Sequence, residues 1–258
     1  MKNRILSCVV ALCALLVAAS AATAHEFIVK PVQLTAEKDA VIPFSVVSAH
    51  VFMISEEMEP IESVEVGLVQ DGKKEAVKLT PNEPLMTLDG RITPTKEGMA
   101  IVAGHRKGVI WTQTTSGWKQ ASKKGLKGVI SSGKYEKFCK TLLTVGKADD
   151  GWKTVLGHRL EIVPMTDPTQ ARTGDELTFK VLFDGKPATP ENVTATYDGF
   201  SMTPNTWAYM SEPYGNGMAK VKISHPGTWM VRVQHVVDKP TADYDKHVLR
   251  AVLIFKVQ

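Results

Sequence analysis

Apolar residues in this chain recur at every second position over short stretches, and each stretch ends in turn residues. Val64-Glu65-Val66-Gly67-Leu68-Val69 runs into Asp71-Gly72 and resumes at Ala76-Val77-Lys78-Leu79. A period of two sends alternate side chains to opposite faces, which is the pattern of a strand. Asp-Gly tolerates the positive φ of a tight turn, so this stretch predicts a hairpin. The pattern recurs at Phe27-Ile28-Val29, Val41 to Val47, Met99 to Ala103, Leu160 to Pro164 and Leu177 to Phe183, the last meeting a second Asp184-Gly185. Val193 to Tyr197, Ala219 to Ile223, Met230 to Val233 and Leu249 to Val257 complete it. Short strands separated by frequent turns predict an all-β chain of two tandem β-sandwich domains, the second immunoglobulin-like. No long amphipathic helix suggests an α/β enzyme.

Residues 1–24 read as a signal peptide. Lys2 and Arg4 precede an apolar run from Ile5 to about Ala19, and Ala22-Thr23-Ala24 is a small-x-small cleavage signature. The chain is therefore expected to be periplasmic or secreted, with His25 at its mature N-terminus. The N-terminal sandwich is expected over 25–150 and the C-terminal one over 151–258, with the turn-like Ala148-Asp149-Asp150-Gly151 between them. Regularity breaks near 112–134, which predicts a basic surface excursion. Lys119, Lys123, Lys124, Lys127, Lys134, Lys137 and Lys140 face one acid there, Glu136, and are expected on a solvated face. A short helical turn is expected between Tyr135 and Val145.

Removing Lys2 and Arg4 from 31 Lys and Arg leaves 29 against 27 Asp and Glu. This balance offers no general attraction to nucleic acid or anionic membrane. No apolar run after the signal approaches the roughly 20 residues that span a bilayer. Cys8 and Cys13 fall in the signal, so Cys139 is left without an intramolecular disulfide partner and is expected to be a small buried residue.

No catalytic signature is present: there is no G-x-S-x-G, phosphate-binding loop, H-E-x-x-H or C-x-x-C. The histidines carry more. The α-amine and imidazole Nδ1 of an N-terminal histidine close a chelate ring on one metal ion, and the amine's pKa of roughly 7.7–8 lets it deprotonate near neutrality. His50 and His235 each end a strand pattern, where rim loops build ligand sites. His105 is expected in a solvated loop and His225 in a turn before Pro226-Gly227.

The chain resembles the DUF4198 family, also described as a nickel/cobalt uptake substrate-specific component family. The resemblance rests on Ala24-His25, on His50 in Ala-His-Val-Phe, and on Tyr135-x-Lys137-Phe138-x-Lys140-x-Leu142. It continues through Leu160-Glu161-Ile162-Val163-Pro164-x-x-Asp167-Pro168, Gly174-Asp175-Glu176-Leu177, Asp184-Gly185-Lys186-Pro187, Pro226-Gly227-Thr228-Trp229 and Leu253-Ile254-Phe255. It is strongest over 156–258. It implies three metal ligands, mapping onto His25, His50 and His235, and a role in binding Ni²⁺ or Co²⁺ and passing it to an inner-membrane transporter. His158 stands where the family has an apolar residue, His247 is an extra, and Ala-His replaces the usual Gly-His after the second strand. Two other readings stand beside this one. An N-terminal histidine plus a second histidine also makes a T-shaped Cu²⁺ site, as a copper redox protein or a copper chaperone would use, and Met53 and Met58 suit the carrier. A structural or adhesive sandwich with scattered histidines would hold no metal.

Overall fold

The computed structural model describes residues 25–258; the expected signal segment lies outside the described residues. In chain order the strands are β1 (Glu26–Pro31), β2 (Thr35–Ala36), β3 (Ile42–Ala49), β4 (Val64–Gln70), β5 (Lys73–Ala76), β6 (Thr80–Asn82), β7 (Thr87–Ile92), β8 (Gly98–Thr114), β9 (Gly117–Lys119) and β10 (Val129–Val145). They continue as β11 (Leu160–Pro164), β12 (Glu176–Phe183), β13 (Lys186–Pro187), β14 (Val193–Tyr197), β15 (Tyr209–Ser211), β16 (Met218–Lys222), β17 (Gly227–Val237) and β18 (Lys246–Val257). Asp71-Gly72 and Asp184-Gly185 form the expected turns, with φ of 47° and 71° at Asp71 and Gly72 and of 47° and 75° at Asp184 and Gly185.

The chain is all-β and forms two sandwiches that share a sheet. A ten-stranded sheet runs β15-β14-β17-β18-β10-β8-β4-β5, with β2 on β10 and β9 on β8. One four-stranded sheet, β1-β3-β7-β6, covers one of its faces; β11-β12-β13 with β16 covers the other and completes the immunoglobulin-like sandwich. Alternation along each central strand sorts the two cores. Met99, Ile101, Phe138, Leu142, Leu253 and Phe255 pack toward β12 and β16. Ala100, Val102, Cys139, Leu143, Val252 and Ile254 pack toward β1 and β3. The middles of these strands are therefore buried on both faces. The bond between halves is the parallel pairing of β10 with β18, from Gly133↔Lys246 to Thr141↔Ile254.

β1 lies at the edge of its sheet, and the backbone groups of Val29 at its middle are met by side chains. Val29 N–H donates to Cys139 Sγ (3.2 Å), and Thr141 Oγ1 donates to Val29 O (2.7 Å). Burial pushes the Cys139 thiol up to about 11, so this cysteine is an inert core residue at neutral pH.

Three local expectations are corrected. The helical turn expected after Tyr135 is strand throughout, because β10 is paired on both edges, with β8 from Val129 to Val145 and with β18 from Gly133 to Thr141. The irregular excursion is shorter than expected, since β8 runs to Thr114 and β10 starts at Val129. The lysines do not share one solvated face. Lys137 and Lys140 are buried and paired with Glu59 (2.9 Å) and Glu161 (3.0 Å), because alternation in a two-sided sheet turns them into the protein.

Candidate metal site

The β1–β3 ladder pairs Phe27 with Ser48 and Glu26 with Ala49. One further step places His25, just before β1, opposite His50, just after β3. Their ring centroids are 3.9 Å apart. The chain then turns through Met53, which takes a positive φ of 70°, and returns so that Glu57 bridges to Ser48. That return brings Glu56 onto both histidines. Its Oε1 accepts the backbone N–H groups of His50 (2.8 Å) and Val51 (3.2 Å). Its Oε2 lies 2.8 Å from His50 Nδ1 and 3.4 Å from His25 Nε2. Glu57 Oε1 lies 3.0 Å from His25 Nδ1 and accepts Ser48 Oγ (3.3 Å).

His25, His50 and Glu56 each offer a ligand atom within 4.8 Å of the others, and they are the one such set among the described residues. Two imidazoles and a carboxylate suit Co²⁺, Ni²⁺, Cu²⁺ and Zn²⁺. The limited burial of Glu56 would raise its carboxyl, but hydrogen bonds from the His50 ring and from the His50 and Val51 amides outweigh that and hold it at about 2. Glu57 is held low chiefly by its bond to His25. Both carboxylates are anionic at neutral pH. All three donors keep some exposure, with Glu56 the most open at 33%.

Beneath this rim lies a buried layer of charge. Glu59 holds Lys137 and Arg106 and accepts Ser48 Oγ (3.1 Å). Glu26 holds Arg232 (3.0 Å) and Arg250 (3.2 Å). Burial alone would raise the Glu26 carboxyl; the two guanidiniums reverse this and keep it below the usual range.

The structure brings His25 and His50 together and leaves His235 elsewhere. Arg232, on β17, reaches the face of the central sheet that carries Glu26, whereas Val231, Val233 and His235 have the opposite parity. The His235 ring therefore packs on Phe183 of β12, at 4.4 Å, on the far side of the sheet. Sequence reasoning missed Glu56; the signal was an acidic run, Glu56-Glu57-x-Glu59, in a turn-prone stretch soon after His50.

The remaining histidines lie on other surfaces. His105 is not in a loop but inside β8, stacked on Phe138 (4.9 Å) with its Nε2 2.8 Å from Glu136. His247 approaches the other oxygen of Glu136 at 3.0 Å. Burial would raise Glu136; these two histidines hold it low. Burial pushes His158 down to about 3, so it is a neutral ring beside Phe138. His225 is in the expected turn, stacked on Tyr197 at 4.5 Å.

Comparison with known families gives a match to DUF4198, a domain of unknown function, over residues 22–237. No curated protein sequence matches the chain. Among solved structures, the D0-D1 domain of intimin is 13% identical, over 91% of this chain and 99% of that one, at a TM-score of 0.23. The ectodomain of mouse nectin-like molecule 4 is 12% identical, over 91% of this chain and 65% of that one, also at 0.23. The Escherichia coli adhesin FdeC is 15% identical, over 86% of this chain and 63% of that one, again at 0.23. Likenesses this distant carry no argument about the site.

Proposed function

We propose that this chain, which belongs to the DUF4198 family, binds a divalent transition metal ion through His25, His50 and Glu56 and presents it to an uptake system. The observation that carries this reading is the convergence of three donors within 4.8 Å. Partial exposure supports delivery over storage, because a rim site can exchange its ion with a partner. Ni²⁺ or Co²⁺ is the cargo that the family resemblance implies, and the donor order places Cu²⁺ above both in affinity. Export to the periplasm with removal of residues 1–24 would free the His25 α-amine as a further nitrogen donor and set the site before an inner-membrane transporter. Among the described residues no helix is long and apolar enough to cross a membrane.

The test is calorimetric titration of the chain beginning at His25 with Ni²⁺, Co²⁺ and Cu²⁺. One equivalent should bind, and His25→Ala, His50→Ala or Glu56→Gln should each weaken binding at least tenfold. One added N-terminal residue should weaken it too if the amine is a ligand. Binding of Cu²⁺ alone would replace the nickel or cobalt reading with a copper carrier. Absence of binding by all three ions would overturn the metal reading.

A further inference from the structure

We propose that Glu26, clasped by Arg232 and Arg250, is the positioning residue that holds His25 against His50, so that strands of the C-terminal sandwich set the geometry of a site whose ligands all lie in the N-terminal one. The inference rests on the metal-binding reading for its purpose, and on geometry alone for its mechanism.

His25 and Glu26 are adjacent at the start of β1, so the pleat sends their side chains to opposite faces. His25 goes to the rim. Glu26 goes inward, where it is 4% exposed and its Oε1 is 3.0 Å from Arg232 Nε and 3.2 Å from Arg250 Nη1. The two arginines stand on the neighbouring strands β17 and β18. Gln234 Oε1 accepts from both, at 3.2 Å from Arg232 Nη2 and 2.9 Å from Arg250 Nε, which fixes the guanidiniums relative to one another. The Arg232 guanidinium also lies over the Trp207 ring at 5.8 Å. Trp207 belongs to the β14–β15 connection, and in that same connection Asn205 N–H donates to His50 O at 3.0 Å. Both histidines are thus gripped from the C-terminal sandwich, His25 through its neighbour's carboxylate and His50 through its own carbonyl.

Stability alone explains this clasp poorly. Desolvating a carboxylate and two guanidiniums generally brings no advantage over apolar packing of the same volume. Phe27, Ile28 and Val29 already bury the middle of β1, and Cys139 and Thr141 hold Val29. At the strand's first residue the ladder pairing with Ala49 is the last one, and the Glu26 carboxylate adds the tie to β17 and β18. A ligand on a frayed strand end would lose geometry, and a fixed supporting shell prevents that.

Two measurements on the chain beginning at His25 test the proposal. In the metal-free protein, nuclear Overhauser contacts between the His25 and His50 rings should be present and should vanish in Glu26→Gln. Ni²⁺ and Cu²⁺ affinity should fall tenfold or more in Glu26→Gln, yet the same change in a His25→Ala background should cause no further loss. Persistence of the ring contacts in Glu26→Gln, or equal losses in both backgrounds, would overturn it. Should Glu26→Gln fail to fold, Arg232→Lys keeps the charge and removes the fork; it should weaken the contacts and lower affinity severalfold, and an unchanged result would overturn the proposal equally. His25→Ala without loss of affinity counts against the metal site itself, whereas loss in His25→Ala but none in Glu26→Gln counts against the clasp alone.

Discussion

His25 and His50 face each other across the open end of the β1–β3 ladder, with ring centroids 3.9 Å apart and the Glu56 carboxylate within reach of both. Residues 25 apart in sequence meet because the strand register continues one step past its last pair, Glu26↔Ala49. His235 takes no part in this meeting. His235→Ala is therefore expected to leave metal affinity within about twofold of the unsubstituted chain, against losses of about tenfold or more for direct nitrogen ligands in small donor sets. A tenfold loss in His235→Ala, measured by the same calorimetry, would show that the ion sits elsewhere.

Lys140 Nζ lies 3.0 Å from Glu161 Oε1, with the two side chains 3% and 1% exposed, and it also donates to Thr154 O. Glu161 accepts the Leu156 and Gly157 amides as well. Lys140→Met removes the cation and strands a buried carboxylate, which is expected to cost about 3–5 kcal/mol. Urea unfolding measures it. A change below about 0.5 kcal/mol, typical of a surface lysine, would return Lys140 to a solvated face.

Acid should unfold the protein through its buried carboxylates. Burial would raise Glu26, Glu59 and Glu136, but Arg232 and Arg250, Lys137 and Arg106, and His105 and His247 respectively outweigh it, and all three lie below their ordinary 4.5. A carboxyl with a depressed folded pKa contributes stability that is complete above its unfolded pKa and is lost as pH falls toward the folded one. The thermal midpoint should therefore hold between about pH 7 and 5 and drop steadily below about 4.5. A midpoint that stays level to pH 2 would mean that these carboxylates titrate alike in folded and unfolded chains.

The loop between β9 and β10 is tied down. Lys123 N–H donates to Asp243 O (2.9 Å), Ser122 Oγ to Asp243 Oδ1 (2.8 Å) and Lys123 Nζ to Asp245 Oδ1 (2.6 Å). Asp245 also accepts the Ser132 amide at 2.7 Å. Asp245→Ala should release the loop, and limited trypsin digestion should then cut at Lys123 or Lys124 several times faster than in the unsubstituted chain. Equal rates in both would mean that these bonds do not hold it.

The amino-acid sequence by itself determined that the chain is β, where most strands lie and where the Asp71-Gly72 and Asp184-Gly185 turns fall; it placed His235 at a strand end, whereas β17 runs on to Val237. Those are local properties: alternation marks a strand, and positive φ selects turn residues. It also marked His25 and His50 as candidates. The tertiary structure decided what alternation leaves open, namely which face each parity meets and which distant strand lies alongside. The parallel pairing of β10 with β18 joins residues more than a hundred positions apart, and no local pattern records it. The two four-stranded sheets cover both faces of the central sheet, which buries Lys137 and Lys140, while His105 lies inside β8 and the parity of β17 turns His235 away from the rim. Glu56 meets the two histidines for the same kind of reason, because a carboxylate in a turn becomes a candidate donor only when the fold of the turn aims it.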